Sequence, residues 1–546
     1  MGLFCYNRSM ETVAETVVIT KIEYDELKTT IARQEALIKY YEEQSRLQRS
    51  RRFGASSEMS GQLGLFDEVE HTADPHLPEP ELEEILYKRR KRTGKRDDDL
   101  SALPVEVMEH RLPEEEQICP ECGGKLHEMG HDVRRELKIV PAQVVVVEHN
   151  RAIYACRNCE KNKDHVPIVK AQMPEPVIKG SLASPSAVAH IMTQKYVMAA
   201  PLYRQEKDWG RQGVTLSRQT MANWVIRCAE DWLRPLYLRM QTLLFSQEAI
   251  HIDETVVQVL REPGKDPTSK SYMWLYRTSG DTGRHIVLFE YQPNRTGSHL
   301  GALLRGFHGI IHTDGYAVYH KLPPEITVVG CWVHLRRQFT DALKSIPAEQ
   351  KASSVAQEAL EKIGCLFHLE NLWQDLSPED RYTRRIRESM PLAEAFFQWV
   401  QTLHVLPKST TGKAIHYALS QRQWLMNVFL DGRAELSNNR IENSVRPFAI
   451  GRKNWLFCNT VSGAEASSVV YSLIETAKEN RLKPFQYLEF LLETVPNTAT
   501  GALDSLLPWG DSVPDHCRML KKEERVRNAE TKGRLNGLDG VCAGVP

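Results

Sequence analysis

Five short runs rich in β-branched and aromatic residues lie between Ala249 and His334, and they constrain the fold more than any other part of the chain. They are AIHIDETVVQVL, SYMWLYRT, RHIVLFEYQ, GIIHTDGY and ITVVGCWVH, each of strand length. The first three are consecutive, and the stretch from Tyr316 to Leu322 separates the last two. Asp314 closes the fourth run as part of Asp-Gly, a pair that also makes turns. Asp253 is harder to explain structurally. It follows His251 and Ile252 and precedes Glu254, which sets acid in an otherwise apolar strand.

A third carboxylate belongs to a helix read from SNNRIENSVRPFAIGRKNWLF, from Ser437 to Phe457. Asn438, Asn439, Glu442, Asn443 and Arg446 recur at three-to-four-residue spacing, which makes a polar stripe. Ile441, Val445 and Phe448 lie off that stripe and are expected to be buried. Arg446, Arg452 and Lys453 suit an anionic partner, although a solvated helix with a basic end has the same pattern.

Strands with one Asp on the first, another after the fourth, and a Glu on a later helix have the layout of an RNase H-like α/β core. Its chemistry explains the acids. Phosphodiester cleavage needs charge neutralised at both the attacking and leaving oxygens, which paired divalent cations supply, and carboxylates are the hard oxygen ligands that Mg²⁺ takes. Two like charges about 4 Å apart repel by about 4 kcal/mol at an effective dielectric near 20, so converging acids imply cations. The predicted core spans 245–457, with a helical insertion at about 340–435 after the fifth strand.

The flanks are of other kinds. Cys119-Pro-Glu-Cys122 and Cys156-Arg-Asn-Cys159 form two C-x-x-C knuckles 33 residues apart. Four thiolates complete a tetrahedral Zn²⁺ site with no open position, so that zinc is expected to be structural. Glu136 to Tyr154, with its valine run, reads as a β-hairpin between the knuckles in a zinc-ribbon-like module at 111–170. From Tyr24 to Ser45 a three-four alternation predicts a coiled-coil helix at 20–58 and self-association, with a single amphipathic helix as the alternative. The segment 59–110 reads as a linker whose basic run, Lys88 to Arg96, would attract phosphates. At 180–235 helices open at Ser184-Pro185, Pro201 and Ser217, and the last, bearing Arg218, Gln219 and Asn223, has helix-turn-helix spacing that any helical bundle can share. Helices at 464–495 are expected to pack on the core, and a poorly ordered tail is expected at 497–546.

A net charge of −1 does not by itself advertise a nucleic-acid partner, but it averages over clustered basic segments. No apolar run approaches the length needed to cross a bilayer, and the N-terminus lacks a signal-peptide core, which predicts a cytoplasmic protein without a membrane partner.

Taken together, FGASSE at Phe53, the double C-x-x-C, HIDET at His251, HTDGY at His312, GCWVHLRR at Gly330 and NNRIENSVRPFAIGRKNWLF resemble the insertion-sequence-66 family of bacterial transposases. The resemblance covers about 24–518. It implies a leucine-zipper-like segment, a zinc module, an Asp-Asp-Glu core using Mg²⁺ (or Mn²⁺), and a C-terminal helical domain, and it carries catalytic and metal-binding roles onto Asp253, Asp314 and Glu442. Its implied partners are the element's terminal inverted repeats and target DNA, a homo-oligomer, and accessory proteins of the same element, on the bacterial nucleoid. Two alternatives stay open: a catalytically inactive zinc-containing DNA-binding protein derived from a transposase, and a nuclease of the same fold. Cys331 and His334, at i and i+3, read either as a ligand pair or as a buried thiol and a hydrogen-bonded neighbour of the site. Trp455 reads as a base-stacking ring or a buried aromatic.

Overall fold

The computed structural model describes residues 20–21, 28, 30–31, 34, 38, 41, 143–155, 168–280, 283–498 and 500–519. The four knuckle cysteines, the basic run, the linker and most of the N-terminal segment lie outside the described residues. The described positions from Lys21 to Tyr41 are helical, and the seam residues Ile31, Ile38 and Tyr41 are exposed.

The described residues from 143 onward gather in two units, one holding 240–450 and 457–468, the other 143–239, 451–456 and 469–519. The first is built on strands β3 (Ala249–Arg261), β4 (Lys270–Thr278), β5 (Val287–Gln292), β6 (Gly309–Thr313), β7 (Ile326–Gly330) and β8 (Cys458–Thr460). Their order is β5-β4-β3-β6-β7, with β8 pairing the far end of β3. β3, β4 and β5 form an antiparallel meander, whereas β6 and β7 run parallel to β3. Parallel neighbours need a crossover, which the helix Gly297–Leu303 supplies between β5 and β6. The opening residues of β3, Ala249 to Ile252, are all buried, because the strand pairs on both edges there.

The register positions the acids. His251 of β3 lies opposite His312 of β6, which lies opposite Val329 of β7. Two residues past these positions come Asp253, within β3, and Asp314 and Cys331, the first residues after β6 and β7. Asp314 and Cys331 stand at the carboxyl ends of their parallel strands, and Asp253 lies just past the stretch of β3 that pairs with β6, on the side where open α/β sheets bind their ligands.

Between β7 and the Glu442 helix lie helices Trp332–Lys344, Val355–Leu372, Pro378–Arg384, Met390–Thr402 and Thr410–Met426. Trp332, Phe339, Ile363, Phe396, Phe397 and Leu425 form their common core with Val329 of β7. The Trp332 indole donates to the Leu425 carbonyl (2.9 Å), and its backbone N–H to Leu436 O (2.9 Å), so the insertion is pinned at both ends of its path. Gly315 sits close against this layer: a Cβ there would lie 2.9 Å from the Tyr417 hydroxyl. The glycine of Asp-Gly thus lies in close contact with the Tyr417 ring as well as in a turn.

In the second unit, helices Pro185–Tyr196, Leu202–Arg211 and Arg218–Cys228 start where their caps predict. The Ser184 and Ser217 hydroxyls accept from Ala187 N and Thr220 N. Gly213, at φ 84°, makes the turn before the third helix in a backbone region that a side chain would strain. The helix Pro484–Thr494 packs against Pro185–Tyr196.

Two expectations are corrected. Of the expected hairpin at 136–154, residues 143–150 form no strand, and Val144 to Val147 are exposed. The ladder is instead made by β1 (Ile153–Ala155) with β2 (Ile168–Lys170), since four valines make a strand only where a partner backbone is available. The described part of the expected tail, 500–519, is also packed: Leu506, Leu507 and Cys517 are buried, the Tyr487 hydroxyl donates to Leu506 O, and Lys483 N donates to Cys517 O. Leucines spaced among Gly and Ser here dock on the bundle instead of marking a loose end.

Candidate active site

Below the carboxylate row lies a buried polar layer. The His251 and His312 rings stack with centroids 4.3 Å apart. His251 Nδ1 pairs with Asn438 Oδ1 at 2.8 Å, and because Asn438 Nδ2 donates to Ile252 O, the oxygen accepts and His251 carries the proton on Nδ1. Glu435 N donates to His312 Nε2. Burial and the neighbouring His251 hold His312 well below the usual imidazole range, so it stays neutral. Burial opposes ionisation of Glu435, but its neighbours His251, at 3.5 Å, and Arg440 outweigh it and hold that carboxyl well below the ordinary range.

Asp253 accepts from Glu254 N at 2.8 Å. Burial is the largest influence on it, followed by the charge of Glu254 and, more weakly, those of Asp314 and Glu442; together they push its carboxyl up to about 8. Glu254 is also raised by burial, against the Tyr319 hydroxyl and Arg295, both of which bind it. Arg295 reaches Asp314 as well, at 3.9 Å, and lies 3.6 Å over the Tyr316 ring. Asp314 Oδ1 accepts from Tyr316 N and shapes the turn after β6.

Glu442 lies in the first turn of the helix Asn439–Trp455 and is half-buried. Arg337 Nη2 stands 3.4 Å from its Oε2, and His334 Nδ1 is 3.8 Å from its Oε1. Arg277 of β4 holds this helix by donating to Arg440 O and Ser444 Oγ. Cys331 caps the helix Trp332–Lys344, and Asn438 N donates to its sulfur at 3.2 Å. Burial pushes the Cys331 thiol up to about 11, against that N–H and those of His334 and Val333. Among the described residues, the three-member set of possible metal ligands whose atoms all lie within 4.8 Å of one another is Cys331, His334 and Glu442; it does not include Asp253 or Asp314.

The polar stripe divides into residues with different jobs. Asn438 is 1% exposed and precedes the helix, where it ties the helix start to β3 and Cys331. Asn443 faces solvent. Ile441 and Phe448 are buried as expected, and Val445 is half-buried. Arg446 and Arg452 are half-buried, Lys453 is exposed and Trp455 is half-buried. Arg218, Gln219 and Asn223 are exposed on the first two turns of their helix. Sequence reasoning missed Arg295, which lies in a loop with no motif of its own, and Glu435. The signal for the histidine layer was present: H-x-D occurs at both His251 and His312, and period-two alternation puts each His and Asp on one face.

The profile described as Transposase IS66 family matches residues 180–466. Further profiles match at 116–160 (zinc-finger binding domain of transposase IS66), 472–509 (IS66 C-terminal element) and 40–108 (Transposase C of IS166 homeodomain). The uncharacterized protein y4jD of Sinorhizobium fredii is 31% identical over 72% of this chain and 78% of its own length. The uncharacterized protein y4qI of the same organism is 31% identical over 74% of this chain and 75% of its own. The Drosophila P element transposase strand transfer complex aligns at 12% identity with a TM-score of 0.33, over 55% of this chain and 94% of that one, a likeness too slight to carry an argument. With its profile spanning more than half of the chain and relatives matching most of it, the chain belongs to the IS66 transposase family.

Proposed function

We propose that this transposase cuts the ends of its element and joins them to target DNA at one site made by Asp253, Asp314 and Glu442 on an RNase H-like core. The observation that carries the reading is that Asp253 and Asp314 each follow by two residues the paired His251 and His312, with Asp314 and Glu442 both close enough in charge to raise Asp253. A buried carboxylate pushed up to about 8 by burial and like charges is matched to cations. The donor set, hard carboxylate oxygens, fits Mg²⁺ or Mn²⁺.

Asp253 and Asp314 would hold the metal from adjacent strands, and Glu442 would complete the site from its helix. The bound ions supply charge neutralisation and activation of the attacking oxygen, first of water and then of the freed 3′-hydroxyl. Arg295 holds Glu254 and Asp314 in place through its paired contacts. Tyr319 and Arg295 together satisfy Glu254, which leaves Asp253 as the β3 carboxylate with no cationic partner among the described residues. Arg446, Arg452 and Lys453 are assigned to the DNA backbone, and Arg218, Gln219 and Asn223 to reading the terminal inverted repeat. Cys119, Cys122, Cys156 and Cys159 are assigned to a structural Zn²⁺ in the matched zinc-finger segment. Self-association through the 20–58 helix, accessory proteins of the same element, and a cytoplasmic, nucleoid-bound location complete the proposal. Among the described residues no helix is long and apolar enough to cross a membrane.

The test is a nicking and strand-transfer assay on terminal-repeat DNA, with and without Mg²⁺. Glu442→Gln is expected to keep end binding and lose cleavage by at least about 10³-fold, the scale on which removing a group that acts only in the transition state is felt. Cleavage by that variant at the native rate would overturn the assignment.

A further inference from the structure

The geometry points to a second, softer cation site made by Cys331 Sγ, His334 Nδ1 and Glu442 Oε1, which takes Zn²⁺ and in doing so withdraws Glu442 from the carboxylate row. This regulatory role rests on the proposed function of Glu442; the binding site itself does not.

Three observations carry it. The three ligand atoms all lie within 4.8 Å of one another, with His334 Nδ1 and Glu442 Oε1 at 3.8 Å. Ligands about 2.0–2.3 Å from a tetrahedral zinc stand roughly 3.3–3.5 Å apart, so small side-chain shifts close the site. Second, His334 Nδ1 and Glu442 Oε1 are both buried yet have no hydrogen-bond partner. Two inward-facing polar atoms left unsatisfied side by side are costly without a shared guest. Third, Asn438 N donates to the Cys331 sulfur at 3.2 Å, an outer-shell contact of the kind that orients a ligating sulfur.

The donor chemistry selects the ion. A thiolate, an imidazole and one carboxylate suit zinc, whereas Mg²⁺ prefers oxygen and neglects sulfur. With three protein ligands, the fourth position is left to water. Glu442 would then be shared between two competing sites: the carboxylate row for a hard cation, and Cys331 with His334 for a soft one.

Zinc binding to the full-length chain, measured by equilibrium dialysis against buffered free Zn²⁺ and elemental analysis, tests the site without any activity readout. About two zinc ions per native chain are expected, one in the four-thiolate module and one here, falling to about one in Cys331→Ser. Serine keeps an acceptor for the Asn438 N–H, and His334→Ala, which removes the ligand on the other side, is expected to lose the same ion should the first variant fold poorly. One zinc in the native chain, or an unchanged count in both variants, overturns the site. In the cleavage assay with Mg²⁺, added Zn²⁺ is expected to inhibit the native protein, and Cys331→Ser to raise the half-inhibitory concentration by more than about tenfold, the loss that even outer-shell changes produce. Equal inhibition of native and variant overturns the regulatory role. A native protein that binds the second zinc but never cleaves would refute the proposed function and leave the site standing.

Discussion

Asp253→Asn is expected to stabilise the protein in magnesium-free buffer at neutral pH. An ordinary aspartate releases its proton near 3.8, whereas burial and the surrounding carboxylates hold Asp253 up to about 8. Between those values the folded chain binds a proton that the unfolded chain has released, so stability falls as pH rises through the window and levels off above it. At pH 7 the cost is about 1.36 kcal/mol for each pH step above 3.8, about 4 kcal/mol in all and an upper figure. Asparagine removes the charge but keeps the oxygen that accepts Glu254 N. A gain of about 2–4 kcal/mol corresponds to about 5–10 °C in the melting temperature of a unit of this size. Thermal unfolding of both proteins at pH 7 and near pH 4.5 provides the assay, with Mg²⁺ omitted instead of chelated so that the thiolate module keeps its metal. The gain should shrink to below about 1 kcal/mol at the lower pH, and Mg²⁺ should raise the native protein more than the variant. An equal or lower melting temperature for Asp253→Asn at pH 7, or the same gain at both pH values, would refute the claim that Asp253 is held against its own charge.

Other residues give sharper, more local outcomes. Asn438→Ala leaves the buried His251 Nδ1–H and the Ile252 carbonyl unsatisfied, at about 1–3 kcal/mol each, and is expected to lower the denaturation midpoint accordingly. A loss under about 0.5 kcal/mol would mean that Asn438 does not anchor the helix start. Arg218→Ala is expected to weaken binding to terminal-repeat DNA and to reduce the slope of log K against log salt by about one if the side chain meets a phosphate. An unchanged slope with lost discrimination between repeat and random DNA would move Arg218 to a base edge, and no change in either would remove it from the interface.

The strands were legible because β-branched runs of the right length need little tertiary context, and the acids because carboxylates in such runs have no apolar explanation. β3 shows this best: its residues from Ile250 to Gln258, Asp253 included, pair with β4. The helix caps Ser184 and Ser217 were equally local and equally readable. What could not be read was which polar residues share a layer once the chain has folded. Asn438 and Glu442 are four residues apart and look alike as members of one stripe, yet the first is sealed against His251 while the second faces Arg337 and His334. That difference depends on where the helix begins, and its start is fixed by Cys331 and Ile252, over a hundred positions earlier. Arg295 has the same character: it follows an Asn in an unremarkable loop and becomes part of the site only because the crossover from β5 to β6 carries it to Glu254 and Asp314.

The repeated H-x-D links these two kinds of information. Each copy is a local pattern, but pairing β3 with β6 in one register makes two rows of it, histidines below and aspartates above. A shift of one residue would set each acid against a residue from the other face. The neutral His312, the His251–Asn438 bond and Glu435 therefore do more than fill the core. They fix the register on which the separation of Asp253 and Asp314 depends, and the same register carries Cys331 into the row, beside the carboxylate it is proposed to compete for.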